Sequence, residues 1–182
     1  MKKLIILLLL ILFVSKFNSQ ISNFVINNYS SMTLEGTLHA NAISGSCYPR
    51  VLSNDPSGMN IIVPSGTPSV PSTVSYKKYA LANDPATNFP LSQWWVQTAS
   101  TNPGIYRPVG HPSLQPAGTL ATNTNWTGFY FVTKNGSVYY EEHFMGDPAY
   151  FSCTGCLYTY NNGGYTEAEY FSIGDITYVQ VY

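Results

Sequence analysis

Two side chains capable of acid–base chemistry or metal binding, Glu141 and His143, lie two residues apart within residues 126–144. Because residues two apart on a β-strand point to the same side, both are expected on one face. Tyr130 and Tyr139 are expected on that face as well, and the four residues together are candidates for ligand binding. An acid–base pair would need a cleft, and a metal site would need further ligands.

The stretch that carries these residues predicts a β-hairpin. Two runs rich in aromatic and β-branched residues flank Asn135-Gly136, a dipeptide that favours a two-residue type I′ turn with two positive φ angles. The register that follows places Glu141 and His143 on the wetter face of the hairpin. It places these residues on the core-facing side: Phe129, Phe131, Val138, Tyr140 and Phe144.

Carboxylate pairs are the second chemical candidate. Glu141 could pair with Glu167 or Glu169 as in glycoside hydrolases, which use two carboxyl groups flanking the bond that is cleaved. The motifs of serine hydrolases, of zinc proteases and of phosphate-binding loops are missing from the sequence. With nine acidic residues in the chain such pairs arise by chance, so no catalytic residue is predicted.

Two turns of similar sequence, each ending in Asn-Asp-Pro, place Asp55 and Asp84 where they could lie at one end of a sheet. Two carboxylates and turn carbonyls could hold Ca²⁺ there. The simpler interpretation is that Asx-Pro turns end strands well. No other cofactor is predicted.

The chain has three cysteines, Cys47, Cys153 and Cys156, so at most one disulfide can form within it. Thr154-Gly155 suits a tight turn, which favours a bridge between Cys153 and Cys156 and leaves Cys47 as a buried free thiol. The alternative is a long-range bridge from Cys47. A zinc site formed by the three cysteines and His143 is disfavoured, because an oxidising compartment removes thiolates.

Adjacent aromatic residues supply the remaining binding signal. Trp94 and Trp95 are expected in one strand, where neighbouring side chains face opposite ways. One should enter the core and the other should point outward. An outward tryptophan with tyrosine neighbours is suited to stacking on a sugar ring or a lipid headgroup.

The elements that must position these residues are strands. Leu34, Leu38 and Ala40 alternate with polar residues, and Gly36 on the apolar side predicts a bulge or a close approach. Ile61–Val63 is a short strand, residues 102–125 are expected to be a loop, and strands including one at 149–153 should follow the hairpin. About eleven strands without a helical period predict an all-β antiparallel sandwich, with a β-barrel as the alternative.

The first twenty residues have the pattern of a secretory signal. Lys2 and Lys3 precede an eleven-residue apolar run, which is short for a membrane span. Residues 1–20 are therefore predicted to be a signal peptide and residues 21–182 a single all-β domain. The expected location is extracellular or periplasmic, with no transmembrane segment in the mature chain.

Composition narrows the classes of partner. Only 9% of residues are charged, and removal of the signal would leave five basic groups against nine acidic ones, a net charge of −4. Without a basic cluster, nucleic acid and anionic membranes are not expected as electrostatic partners. We expect a secreted, non-catalytic module that binds a neutral extracellular ligand such as a glycan or cell-surface material. The alternatives are a membrane-active β-sandwich, related in behaviour to pore-forming proteins, and a secreted glycoside hydrolase.

Overall fold

A computed structural model of the chain describes residues 23–54, 61–77, 91–154, 164 and 166–182. In these ranges the chain forms eleven strands in two sheets that do not close into a barrel, which confirms the all-β sandwich. The expected signal peptide and the candidate metal ligands Asp55 and Asp84 lie outside the described residues. The strands are β1 (Asn23–Asn28), β2 (Thr33–Ala42), β3 (Arg50–Leu52), β4 (Ile61–Val63), β5 (Ser72–Lys77), β6 (Gln93–Gln97), β7 (Ile105–Pro108), β8 (Thr124–Asn135), β9 (Val138–Gly146), β10 (Ala168–Ile173) and β11 (Ile176–Val181).

The two sheets contain four and seven strands. The four-stranded sheet has the order β10-β11-β1-β5, and the seven-stranded sheet has the order β7-β6-β3-β2-β8-β9 with β4 also paired to β2. The described pairings are antiparallel except that of β1 with β11, which is parallel. Strands β9 and β10 lie at edges of different sheets, so the chain crosses from one sheet to the other between them.

Alternation of buried and exposed positions builds the core. Strands β1 and β11 bury every second residue, so Phe24 and Ile26 face inward beside Val179 and Val181. From the opposite sheet, Leu34, Leu38, Trp94, Trp126, Phe129 and Phe131 are fully or almost fully buried. Each such side chain contributes about 1.5–3 kcal/mol through its removal from water, so the facing layers hold the sandwich together.

Gly36 marks a close approach between strands, as expected from its place on the apolar side. A Cβ at this position would lie 2.6 Å from Cε2 of Phe129 and closer still to the carbonyl oxygen of Tyr130. Strand β8 therefore packs against β2 at a distance that only glycine allows. A larger residue here would force the central pair of the sheet apart.

The predicted hairpin forms, but its predicted register is wrong. Asn135 pairs with Val138, so the two-residue loop is Gly136-Ser137, with Gly136 at φ 60°. A glycine at the first loop position is what a type II′ turn requires. A register shift between Thr133 and Lys134 then moves the pairing of the remaining residues by one more position. As a result Phe131 lies opposite His143 instead of Tyr140.

The displaced register redistributes the side chains of β9. Phe129 and Phe131 face the core as expected, but Val138 and Tyr140 are exposed. Phe144 pairs with Tyr130 and so lies on the face opposite Phe129, although it too is buried. The side chains predicted on the wetter face, Glu141 and His143, instead share the inner face with Phe131, because directly opposed residues point the same way.

Two segments contain helical structure that the pattern did not predict. Residues 102–125 form β7, a 3₁₀ turn at Pro112–Leu114 and helix α1 (Thr119–Asn123) rather than a simple loop. The strand expected at 149–153 is wrong: a 3₁₀ turn at Pro148–Tyr150 leads into helix α2 (Phe151–Thr154). Asp147, the residue before the 3₁₀ turn, explains why the turn begins there. Its carboxylate accepts the Ala149 N–H at 2.9 Å and so caps the turn.

The disulfide joins Cys47 to Cys153, with 5.0 Å between their Cα atoms, so the predicted bridge from Cys153 to Cys156 is wrong. That prediction assumed a hairpin around Thr154-Gly155, whereas Cys153 lies in α2. Cys156 itself is outside the described residues. The bridge ties the loop after β2 to the segment after β9.

Candidate functional site

Glu141 and His143 meet Thr166 at the edge where the two sheets come together. One carboxylate oxygen of Glu141, Oε2, accepts the backbone N–H of Thr166 at 3.0 Å and its hydroxyl at 2.6 Å. Nε2 of His143 lies 3.1 Å from the same hydroxyl and 3.4 Å from the same carboxylate oxygen. The side chains of Glu141 and His143 are only 6% and 3% exposed.

This buried group connects β9 to Thr166, two residues before β10. The ring of His143 also stacks on Phe131 at 5.1 Å, and Thr133 lies directly opposite Glu141 with its hydroxyl buried and unpartnered. The carboxylate is therefore held between the sheets and is not offered to a sugar in solvent. Its geometry is that of a polar tie between two edge strands.

Tyr139 lies elsewhere, at the exposed end of the hairpin. It is 62% exposed, and its ring lies 4.6 Å from Nζ of Lys134. Lys134 also pairs with Glu35 at 2.5 Å, and that hydrogen bond raises the pKa of Lys134. We call residues 135–140 the hairpin tip: each is exposed and none is charged. Tyr130 lies away from the tip, half-buried on the outer face.

The two tryptophans divide as their spacing predicts. Trp94 is fully buried in the core, so it has no ring face for a ligand. Trp95 points outward and is half-buried. The guanidinium of Arg50 lies 4.9 Å from the Trp95 ring, and Gly104 packs so closely that a Cβ there would overlap the indole. Trp95 is thus largely covered by its own chain.

Arg50 organises the surface beside Trp95. Its Nε donates to Oε1 of Gln97 at 2.9 Å, and its Nη1 donates to the carbonyl of Cys153 at 3.1 Å. The guanidinium carbon also lies 5.7 Å from the centroid of the Tyr48 ring. Arg50 therefore connects the loop that carries Tyr48 to β6 and to α2. The disulfide joins that loop to α2 covalently.

Next to Tyr48 lies a shallow depression of about 540 Å³, which we call the tyrosine depression. Its lining comes from the end of β2, the loop after it and the end of α1, and it contains no charged side chain. The lining residues are Ala42, Ile43, Ser44, Tyr48, Pro49, Thr122 and Asn123.

Hydrogen bonds hold the walls of the tyrosine depression. The Ile43 N–H donates to the carbonyl of Asn123 at 2.9 Å, which joins the two walls. The Tyr150 hydroxyl donates to the carbonyl of the lining residue Ala42 at 2.7 Å. The side-chain amide of Asn123 donates one N–H to the carbonyl of Thr119. An asparagine amide has a second N–H and an accepting oxygen, and these are the atoms that would bind a ligand.

His39, on β2, is buried. Its ring meets Phe144 edge to face at 5.2 Å. Burial, with a smaller effect from the charge of Arg50, lowers the pKa of His39 to about 3. The imidazole is therefore neutral at ordinary pH and packs against the Phe144 ring.

The structure does not bring the sequence candidates together. Glu141 and His143 meet Thr166 between the sheets, Tyr139 lies at the hairpin tip, and Trp95 lies beside Arg50. Tyr130 is half-buried on the outer face, and Trp94 is buried in the core. Sequence reasoning missed Tyr48, Thr122 and Asn123, because the depression is built by segments far apart in the chain. The described residues contain no cluster of three or more His, Cys, Asp or Glu side chains that could hold a metal ion. In the same part of the chain, no helix has the length and apolar character to cross a bilayer.

Comparison with protein-family models, with curated proteins and with solved structures gave no match for this chain.

Proposed function

We propose that the chain is a secreted, non-catalytic β-sandwich module that binds a neutral extracellular ligand such as a glycan, and that the tyrosine depression is the binding site. The observation that carries the proposal is the lining: one aromatic ring, apolar Ile43 and Pro49, hydroxyls and an amide, without any charge. A neutral sugar presents hydroxyl groups and apolar ring faces, which this combination complements.

Pre-organisation supports the proposal. When a binding loop is already fixed, the ligand does not have to order it. The entropy cost of binding is then smaller than for a flexible loop. The Tyr48 loop is fixed by the Cys47–Cys153 disulfide, by Arg50 and by the bond from Ile43 to Asn123. The burial of Glu141 supports a non-catalytic role over glycoside hydrolysis.

A glycan microarray tests the ligand class. The secreted protein should bind neutral oligosaccharides and ignore sulfated or polybasic probes, because the depression offers no charge to either. Retention on charged probes alone would contradict the proposal. Release of reducing sugars from a polysaccharide panel would instead establish the hydrolase.

The hairpin tip favours a second candidate, a membrane-active β-sandwich. Val138, Tyr139 and Tyr140 are consecutive exposed residues at an uncharged tip, and tyrosines prefer the interface between lipid and water. Flotation with phosphatidylcholine vesicles tests this candidate. A membrane-active protein should float with the vesicles, and Tyr139→Ser should weaken this flotation whereas Tyr48→Ala should not. Protein that stays in the bottom fraction would contradict the second candidate.

A further inference from the structure

The sequence contains three Asn-x-Ser/Thr triplets, the acceptor motif for N-linked glycans in secreted proteins. They begin at Asn28, Asn125 and Asn135. The fold treats the three asparagines differently, and this difference decides which of them could carry a sugar in the native protein.

Asn28 has no room for a glycan. Its side chain is fully buried, and Nδ2 donates to the carbonyls of Met32 at 2.7 Å and Pro64 at 2.8 Å. Both amide hydrogens are therefore in use, and a sugar on this nitrogen would replace one of them inside the sandwich. A glycan at Asn28 is incompatible with the fold.

Asn125 lies in β8 within the seven-stranded sheet, paired to Asn41. Its side-chain oxygen is buried, and the next two residues, Trp126 and Thr127, are almost fully buried. The hydroxyl of Thr127, which defines the triplet, donates to Oδ1 of Asn41 at 2.6 Å. This triplet belongs to the sheet interior.

Asn135 is exposed at the end of β8, and Gly136 and Ser137 form the exposed loop that follows. Gly136, at φ 60°, turns the chain there. The described hydrogen bonds leave the Asn135 amide without a side-chain partner. Of the three triplets, this one alone presents its asparagine on a projecting turn.

We propose that Asn135 is an N-glycosylation site, an inference that rests on the secretory part of the proposed function. The donor is a lipid-pyrophosphate-linked oligosaccharide, used by the oligosaccharyltransferase of the secretory pathway. The bond from the anomeric carbon to the pyrophosphate oxygen breaks and a bond from that carbon to Nδ2 of Asn135 forms. The proton that Nδ2 loses is released to solvent, and the lipid pyrophosphate leaves with the electron pair of the broken carbon–oxygen bond.

A glycan at Asn135 also accounts for the exposed hairpin tip. Val138 pairs with Asn135 and is 54% exposed, and Tyr139 follows it. The first sugars therefore lie beside the exposed side chains of Val138 and Tyr139, which the apolar faces of sugar rings can cover. A glycosylated tip carries many hydroxyl groups and does not enter a bilayer, so this site opposes the membrane-active candidate.

Expression of the full-length chain in eukaryotic cells, followed by peptide mapping of the secreted product, tests the site. We expect a glycopeptide containing Asn135 that peptide-N-glycosidase converts to a peptide with aspartate at that position. Asn135→Gln and Ser137→Ala should each abolish the glycan, whereas Ser137→Thr and Asn125→Gln should retain it.

The outcomes separate the two proposals. A secreted, folded product with unmodified Asn135 overturns the glycosylation site and leaves the proposed function standing. An unmodified product retained in the cytosol overturns both. A secreted product glycosylated at Asn28 or Asn125 instead contradicts the burial argument.

Discussion

Thr166 donates both its backbone N–H and its hydroxyl to one oxygen of the Glu141 carboxylate, at 3.0 and 2.6 Å. Glu141 lies on β9, an edge strand of one sheet, and Thr166 precedes β10, an edge strand of the other. These bonds compensate a buried carboxylate for the water it has lost and join the two layers along one side.

Removal of the Thr166 hydroxyl should therefore destabilise the fold. Thr166→Val keeps the shape and the backbone N–H but withdraws one donor from a buried charge, which should cost about 1–3 kcal/mol in the free energy of unfolding. Urea denaturation measures it. Thr73→Val, which removes an exposed hydroxyl bonded to Asn27, is the matched control and should stay within about 0.5 kcal/mol. Equal effects would contradict the role of the tie.

The strands were predictable where burial repeats every second residue. Leu34, Leu38 and Ala40 alternate with polar residues, and all three are buried in the observed strand. The inner face of β9 was not predictable, because it depends on an extra residue opposite Thr133 and Lys134. One inserted residue changes which side chains face inward, and local composition does not reveal it.

The site was less predictable than the fold. Strand spacing predicts that Trp94 and Trp95 face opposite ways, and they do, but the covering of Trp95 by Arg50 depends on contacts across strands. The tyrosine depression joins the loop after β2 to helix α1, and neither segment carries a local motif. Its formation depends on tertiary packing, which a single sequence does not specify.

Gly136 should be the position in the hairpin loop that is most sensitive to substitution. At φ 60° a β-branched side chain is strained, so Gly136→Val should cost about 1 kcal/mol or more. Ser137→Ala, at the next loop position, should change stability by less than about 0.5 kcal/mol. Urea midpoints of the two variants decide the question, and an unaffected Gly136→Val would show that the loop lies elsewhere.

The Cys47–Cys153 bridge should supply much of the stability of the oxidised protein. It spans 106 residues, and loss of a bridge of this span should cost up to about 4–5 kcal/mol in the chain-entropy description. Cys47→Ser should therefore lower the melting temperature, and Cys156→Ser should not. Non-reducing peptide mapping should recover the peptide of Cys47 linked to that of Cys153; a bridge from Cys153 to Cys156 would contradict the structure.

His39 should make the fold sensitive to mild acid. Its pKa is about 3 in the folded state against 6.5 when exposed, so below pH 6.5 the unfolded state binds the proton more readily. The stability that the neutral His39 contributes is fully present above pH 6.5 and falls as the pH decreases toward 3. Between pH 6.5 and about pH 5 the free energy of unfolding should fall by up to about 2 kcal/mol.

His39→Gln isolates this effect from other titrating groups. The variant should lose the part of the pH dependence that His39 causes, while the rest of the curve remains. Urea unfolding between pH 7 and about pH 5 gives the comparison. Parallel curves for the two proteins would show that His39 is accessible to protons in the folded state.

The most direct measurement of the central claim is the affinity of the protein for a neutral oligosaccharide by isothermal titration calorimetry, with variants inside and outside the tyrosine depression. Tyr48→Ala removes the aromatic ring and should weaken binding by about tenfold or more, and Asn123→Ala should weaken it by a smaller factor. Tyr139→Ala, an equivalent truncation at the hairpin tip, should leave the affinity unchanged. Loss of binding in Tyr139→Ala with full affinity in Tyr48→Ala would contradict the assignment of the site.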